Sequence, residues 1–285
     1  MEKLIRSVSL QVYINAQKLL LILLKSSKVL STLFATKNNN HDLEDRWTKV
    51  NFEKLNFYKI DEISKEYNNS DADLNFIKSL GFKSQLVNKK SPVDFSHGPL
   101  LFHIINAHPK KYLRIMEIGT AKGFSALCMS KALSNKKKEG IIISNDIIHN
   151  QSKRHWNDTE DLNGKVSRDS FIRDNYNDLR SKIMFLSCTS FNLPHIVDLP
   201  EIDIWFFDGV HQPKTIYIEF KIALTSCHED TIFIFDDCTE DYLDYKLQVK
   251  KLLKKHKMKY SLISSDSGRK KFYIASQSGF HENIT

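Results

Sequence analysis

Three aspartates and a histidine in the last third of the chain have the types and spacing for chemistry at oxygen. Asp208 ends the apolar run Trp205-Phe206-Phe207, and His211 follows three residues later. Asp236 and Asp237 end a second apolar run, Phe233-Ile234-Phe235. Carboxylates gathered in one place repel unless a proton or a cation sits among them. Mg²⁺ suits such a set, because it takes oxygen ligands and keeps several waters. The same acids could also serve separately, one capping a helix and another pairing with a lysine. Neighbouring strand residues face opposite ways, so Asp236 and Asp237 can converge only where the chain leaves the strand. His211 has the pKa range of a general base for a hydroxyl. With a metal present, the hydroxyl would be acidified directly and His211 would orient the acceptor. The proton acceptor stays open between Asp208 and His211, and a loop histidine holding a structural hydrogen bond is the plain alternative.

A second constellation lies upstream. Ile115-Met116-Glu117-Ile118-Gly119-Thr120-Ala121-Lys122-Gly123-Phe124-Ser125 reads as a strand, a tight turn and the start of a helix. Gly119 allows a sharp exit from the strand, and Gly123 allows close packing or the approach of a ligand. Amides at the helix start can meet polar groups of that ligand. No GK[ST] follows, so this is no Walker A loop, and it lacks the three glycines of a dinucleotide fingerprint. S-adenosyl-L-methionine (SAM) has no phosphate and tolerates a different turn. Asp146 ends the next apolar run and could accept both hydrogen bonds of a ribose diol, or merely cap its strand. Thr189 and Ser190, after the third run, could serve an adenine or only their own turn.

These residues need elements to position them. Strands are expected at 114–118, 141–144, 183–186, 202–207 and 231–235, with a closing hairpin at 260–264 and 271–275. Helices are expected at 100–107, 124–133, 169–179, 217–225 and 242–257. Most strand runs are short, non-alternating and rich in Ile and Phe, the pattern of strands buried on both faces of an α/β sheet. The connecting helices imply parallel crossovers. In such a sheet the site lies beyond the carboxyl ends of the strands, where Gly119, Asp146, Thr189, Asp208, Asp236 and Asp237 all fall. The insertion 148–168 is long for such a connection. It carries Trp156 among mixed charges and could be a lid for a polar acceptor, with Trp156 stacking on a sugar or merely pinning the loop to the domain.

The stretch from Glu117 to Gly123 resembles motif I of class I SAM-dependent methyltransferases, with Ala121 where the middle glycine usually stands. Its form is similar to that of metal-dependent macrolide and sugar O-methyltransferases, and the resemblance covers roughly residues 100–275. It implies a Rossmann-like sheet, mostly parallel with a C-terminal antiparallel hairpin, preceded by N-terminal helices. It implies that Glu117 anchors the loop, that Gly119–Gly123, Thr120 among them, line the methionine part of SAM, that Asp146 holds the ribose, and that Ser125 and Thr189 also belong to the cofactor-binding set. It also implies that Asp208, Asp236 and Asp237 ligate Mg²⁺. The activity so implied is methyl transfer from SAM to a hydroxyl of a small molecule or a sugar-containing acceptor.

Residues 1–99 carry no such match and read as a helical cap and linker, with 100–285 as the catalytic domain. Helical character runs through 1–35 and a polar linker through 37–45. Residues 60–80 also read as a helix, stopped by Gly81. The apolar run 19–24 is too short to span a membrane, though helices here could lie on a membrane surface or form a homodimer contact. Cys128, Cys188, Cys227 and Cys238 lack zinc or redox spacing, which fits a reducing, cytoplasmic setting. The net charge of +8 is spread along the chain, with its densest run at 250–259; that run reads as the solvated face of an amphipathic helix. Nucleic acid is therefore disfavoured as a partner. A base N-methyltransferase would be expected to carry [DN]PP[YF] where this chain has Phe207-Asp208-Gly209-Val210-His211. An RNA methyltransferase without that segment, and a non-catalytic scaffold or membrane-associated protein of the same fold, are the alternatives.

Overall fold

A computed structural model describes residues 48–49, 73–84, 88–89, 95–153, 158–160, 166–264 and 271–283. The helices expected in residues 1–35, the linker at 37–45 and the insertion's Trp156 lie outside the described residues. The chain divides into two compact units, Met1–Thr48 and Lys49–Thr285, and the second holds the main sheet. No helix among the described residues is long and apolar enough to cross a membrane.

Seven strands form the main sheet: β1 (Tyr112–Ile118), β2 (Glu139–Asp146), β3 (Ile183–Ser187), β4 (Ile202–Phe207), β5 (Cys227–Phe235), β6 (Lys259–Ser264) and β7 (Lys271–Ser276). Their order is β3-β2-β1-β4-β5-β7-β6. The first five are parallel, and β7 runs antiparallel to both β5 and β6. Among the described residues, six helices of eleven residues or more accompany them: α1 (Leu74–Ser84), α2 (His97–Ala107), α3 (Phe124–Asn135), α4 (Arg168–Arg180), α5 (Pro213–Leu224) and α6 (Leu243–Lys255). The expected α/β sheet with its closing hairpin is thus present, with α1 and α2 preceding it.

The apolar runs are explained by two cores, one on each face. Ile115, Ile204, Phe206, Ile232 and Ile234 join a cluster with residues of α1 to α4. Their neighbours Met116, Trp205, Phe207, Phe233 and Phe235 join another with residues of α5 and α6. Successive side chains go to opposite faces, so every position of β4 is buried and the run carries no alternation. A side chain of this size contributes about 1.5–3 kcal/mol when fully buried.

Among the boundaries that differ from expectation, one has a packing cause. Gly81 does not end a helix; α1 continues through it to Ser84. A Cβ at this position would lie 2.7 Å from the Phe95 ring, so glycine here lets an aromatic side chain pack onto the helix. The signal that suggests a stop is therefore a packing requirement.

The strand order reverses beside β1, since β2 and β3 extend to one side of it and β4 and β5 to the other. At such a switch the loops beyond the strand ends part to leave a crevice. The chemistry-bearing residues sit on those loops or at the ends of the strands and helices they join.

Candidate active site

The glycine turn leaves β1 with Gly119 at φ 100° and reaches α3 through Gly123 at φ 95°. Gly119 N–H donates to the Asn145 carbonyl at 2.8 Å, which ties the turn to the end of β2. A Cβ on Gly119 would lie 2.0 Å from the Asp208 carbonyl oxygen. The glycine turn and the Asp208 turn are therefore in backbone contact. Ala121, where the resembled motif has glycine, adopts φ 46°, a left-handed conformation that costs an L residue about 1 kcal/mol.

Glu117 stands just ahead of the turn and is wholly buried. Its two carboxylate oxygens accept from the hydroxyls of Ser125 and Ser144, and the Ser144 hydroxyl also meets that of Thr120 at 2.7 Å. Burial pushes the Glu117 carboxyl up to about 7, against the opposing pull of the two serines. Glu117, Thr120 and Ser125 thus form one buried network behind the turn.

Asp146 ends β2 with one oxygen accepting from Ala121 N–H at 2.7 Å and the other from Ile148 N–H at 2.8 Å. Each oxygen accepts up to two hydrogen bonds, so capacity remains for a ribose hydroxyl on the second. The first also meets Arg168, 3.4 Å away. Thr189 is half-buried at the start of the 3₁₀ turn Ser190–Asn192. The neighbouring Ser190 hydroxyl donates to Glu219 at 2.7 Å. Burial pushes the Glu219 carboxyl up to about 7.

At the chemical end the structure gathers Asp208, His211 and Asp237. One ligating atom from each lies within 4.8 Å of the others. His211 Nε2 is 3.8 Å from Asp208, and its Nδ1 is 3.5 Å from Asp237. Asp237 turns toward the histidine because its backbone has φ 52°, which is where the chain leaves β5. Asp236 goes the other way: it is fully buried and accepts from Asp237 N–H at 2.6 Å. Of the three aspartates with metal-ligand spacing, two meet, and the imidazole stands where the third was expected. Two carboxylates and an imidazole suit a divalent cation, and the nitrogen makes the set as apt for a first-row transition metal as for Mg²⁺. The His211 ring packs against Tyr242 and Tyr245, each 5.0 Å away between centroids.

Residues 116–238 match a family described as a methyltransferase domain. That stretch takes in the glycine turn, Asp146 and the whole acid–histidine group. A protein assigned as an O-methyltransferase from Klebsiella pneumoniae shares the architecture with a TM-score of 0.50 and 16% identity, over 76% of this chain and 94% of that one. The chain has the class I SAM-dependent methyltransferase fold. An rRNA methylase from Streptococcus thermophilus is similar at TM-score 0.45 and 10% identity, over 62% of this chain and 93% of that one. A protein from Clostridium thermocellum assigned as an rRNA methylase matches at TM-score 0.46 and 11% identity, over 65% and 99% of the two chains. No curated protein matches the sequence. The expectation that nucleic acid is disfavoured as a partner is corrected by these matches, since rRNA methylases are among the structures this methyltransferase fold resembles.

One residue of the site is missed by motif reading. Arg168, at the start of α4, is fully buried. It donates to the Ala121 carbonyl at 2.6 Å, the Ile148 carbonyl at 2.7 Å and Asn150 at 2.8 Å, besides its contact with Asp146. It joins the glycine turn, the end of β2 and the foot of the insertion. Burial lowers its pKa, while Asp146 and Glu117 oppose that shift. No local pattern marks it, because its partners lie up to 47 positions away.

Proposed function

We propose that the chain transfers a methyl group from SAM to a hydroxyl oxygen held at Asp208, His211 and Asp237. The observation that carries this reading is the convergence of those three side chains beside the turn that Gly119 brings into contact with Asp208. SAM supplies an electrophilic methyl group on sulfonium. Glu117 and Asp146 shape and anchor its turn, and the second oxygen of Asp146 accepts from the ribose. In the absence of a cation, Asp208 or His211 would take the hydroxyl proton as the new carbon–oxygen bond forms. Asp208 and Asp237, with His211, would hold a divalent cation that acidifies the hydroxyl. Most of the rate gain then comes from alignment and charge stabilisation.

The acceptor is a small or sugar-containing hydroxyl compound on the resemblance. RNA is the second reading, and its ribose 2′-hydroxyl offers the same chemistry. Incubating the protein with methyl-labelled SAM and either sugar-containing extracts or total RNA tests both, and label on oxygen in one fraction is expected. Absence of SAM binding in calorimetry would sink the methyl-transfer reading. Asp237→Asn should reduce turnover by about 100-fold or more, the scale of lost electrostatic stabilisation at a site, and remove its response to added Mg²⁺ or Mn²⁺. An unchanged metal response rejects the cation.

A further inference from the structure

The methyltransferase-domain match ends at Cys238, and just beyond it the chain concentrates its charge. Between Leu243 and Lys259 there are seven lysines and one aspartate, a net +6 against +8 for the whole chain. Helix α6 sorts them. Tyr245, Val249, Leu252 and Leu253 are buried, while Lys250, Lys251, Lys254 and Lys255 are exposed. Among the described residues these four have no ion-pair partner. The helix dipole favours basic residues in the last turn, which accounts for Lys254 and Lys255. It does not account for Lys250, Lys251 or the exposed Lys257 beyond the helix end. On the neighbouring α5, Lys221 lies 4.8 Å from the Tyr217 ring centroid, and Lys255 also acts on Tyr217, so the basic surface reaches across both helices.

We infer that the exposed lysine face of α6 grips the phosphate backbone of single-stranded RNA. Residues four apart on a helix are separated by about 6 Å along its axis, so the lysines offer closely spaced cations to a chain of fixed anions. A lipid surface fits less well. A helix lying in a membrane interface needs its apolar face for the bilayer, and that face of α6 is already buried in the protein. Tyr242 adds a second kind of contact. It immediately precedes α6, is 42% exposed and has its ring centroid 5.0 Å from that of His211. Bases stack on exposed rings of this kind. Lys250 lies only about 10 Å along the helix from Leu243, so a strand with its phosphates on the lysines can lead to the candidate active site. The inference takes its purpose from the methyl-transfer reading, but the binding itself does not depend on it.

Fluorescence anisotropy of a short labelled single-stranded RNA, with the full chain and KCl raised from about 50 to about 200 mM, tests this. Four phosphate contacts predict a log–log salt slope near −3 and a loss of roughly 50-fold in affinity over that range. Replacing Lys250, Lys251, Lys254 and Lys255 together by Gln is expected to weaken binding at the lowest salt by more than about tenfold and to flatten the slope. The corresponding Arg replacements retain both, and SAM affinity in calorimetry is unchanged in either variant. No RNA binding by the unaltered chain, an unchanged slope in the Gln variant, or binding to phosphatidylserine vesicles but not to RNA overturns the inference. Lysine-dependent RNA binding without SAM binding would leave it standing and remove the methyl-transfer reading instead.

Discussion

Two glycines of one turn are under unequal constraint. Gly119 faces backbone, with the Asp208 carbonyl carbon 2.4 Å from where a Cβ would sit. Gly123 faces only the tip of Ile172, at 3.0 Å, and a side chain can move. Both have positive φ. Gly119→Ala should therefore cost at least about 3 kcal/mol and abolish SAM binding, while Gly123→Ala should cost about 1–2 kcal/mol; urea denaturation and calorimetry read both. Glu219 makes a prediction of opposite sign from an ordinary carboxylate. Its pKa is raised from 4.5 to about 7 in the folded protein, so the folded state keeps a proton that the unfolded chain releases. Stability falls as pH rises through that window, at up to roughly 1.4 kcal/mol per pH unit. Glu117 titrates in the same direction. Glu219→Gln should flatten the decline between about pH 4.5 and 7 without removing Glu117's share, as measured by urea denaturation at several pH values. The residue types at the site were legible because acids ending apolar runs stand out. The substitution of His211 for Asp236 beside Asp208 was not, because it depends on the left-handed turn at Asp237.

The elements were more legible than their joints. Runs such as Ile204–Phe207 could be read as strands because burial on both faces leaves apolar residues at successive positions. Their ends were blurred: β5 begins at Cys227 rather than Thr231 because His228, Glu229 and Asp230 lie in the strand yet carry polar side chains. Arg168 shows why the joints are hidden. It begins one element, and its partners belong to a turn, a strand end and an insertion. Removing its charge would leave Asp146 buried without its cation, a loss of about 3 kcal/mol for a broken buried pair. Arg168→Met should show that loss in urea denaturation and weaken SAM binding in calorimetry by at least about tenfold. Arg168→Lys should recover part of the stability, because the charge returns without the planar fork that reaches several acceptors. Equal SAM affinity in all three proteins would show that the clamp supports the fold alone.

At the scale of the molecule, the sheet places the glycine turn and the acid–histidine group on adjoining loops, and α6 carries a basic surface away from them. The class of the fold was readable from alternating strands and helices. The pairing order was not, since β1 meets β4 across two intervening strands of sequence. That order has a consequence for how the protein is made. β7, the last strand of the sheet to be synthesised, pairs with Phe235, Ile234 and Phe233 of β5 on one side and with the whole of β6 on the other. Until Lys271 and the five residues after it leave the ribosome, β5 presents an unpaired apolar edge, the feature that recruits foreign strands. The nascent chain can assemble its glycine turn early, but it cannot seal its sheet until translation has passed Ser276, and its aggregation hazard is greatest just before then.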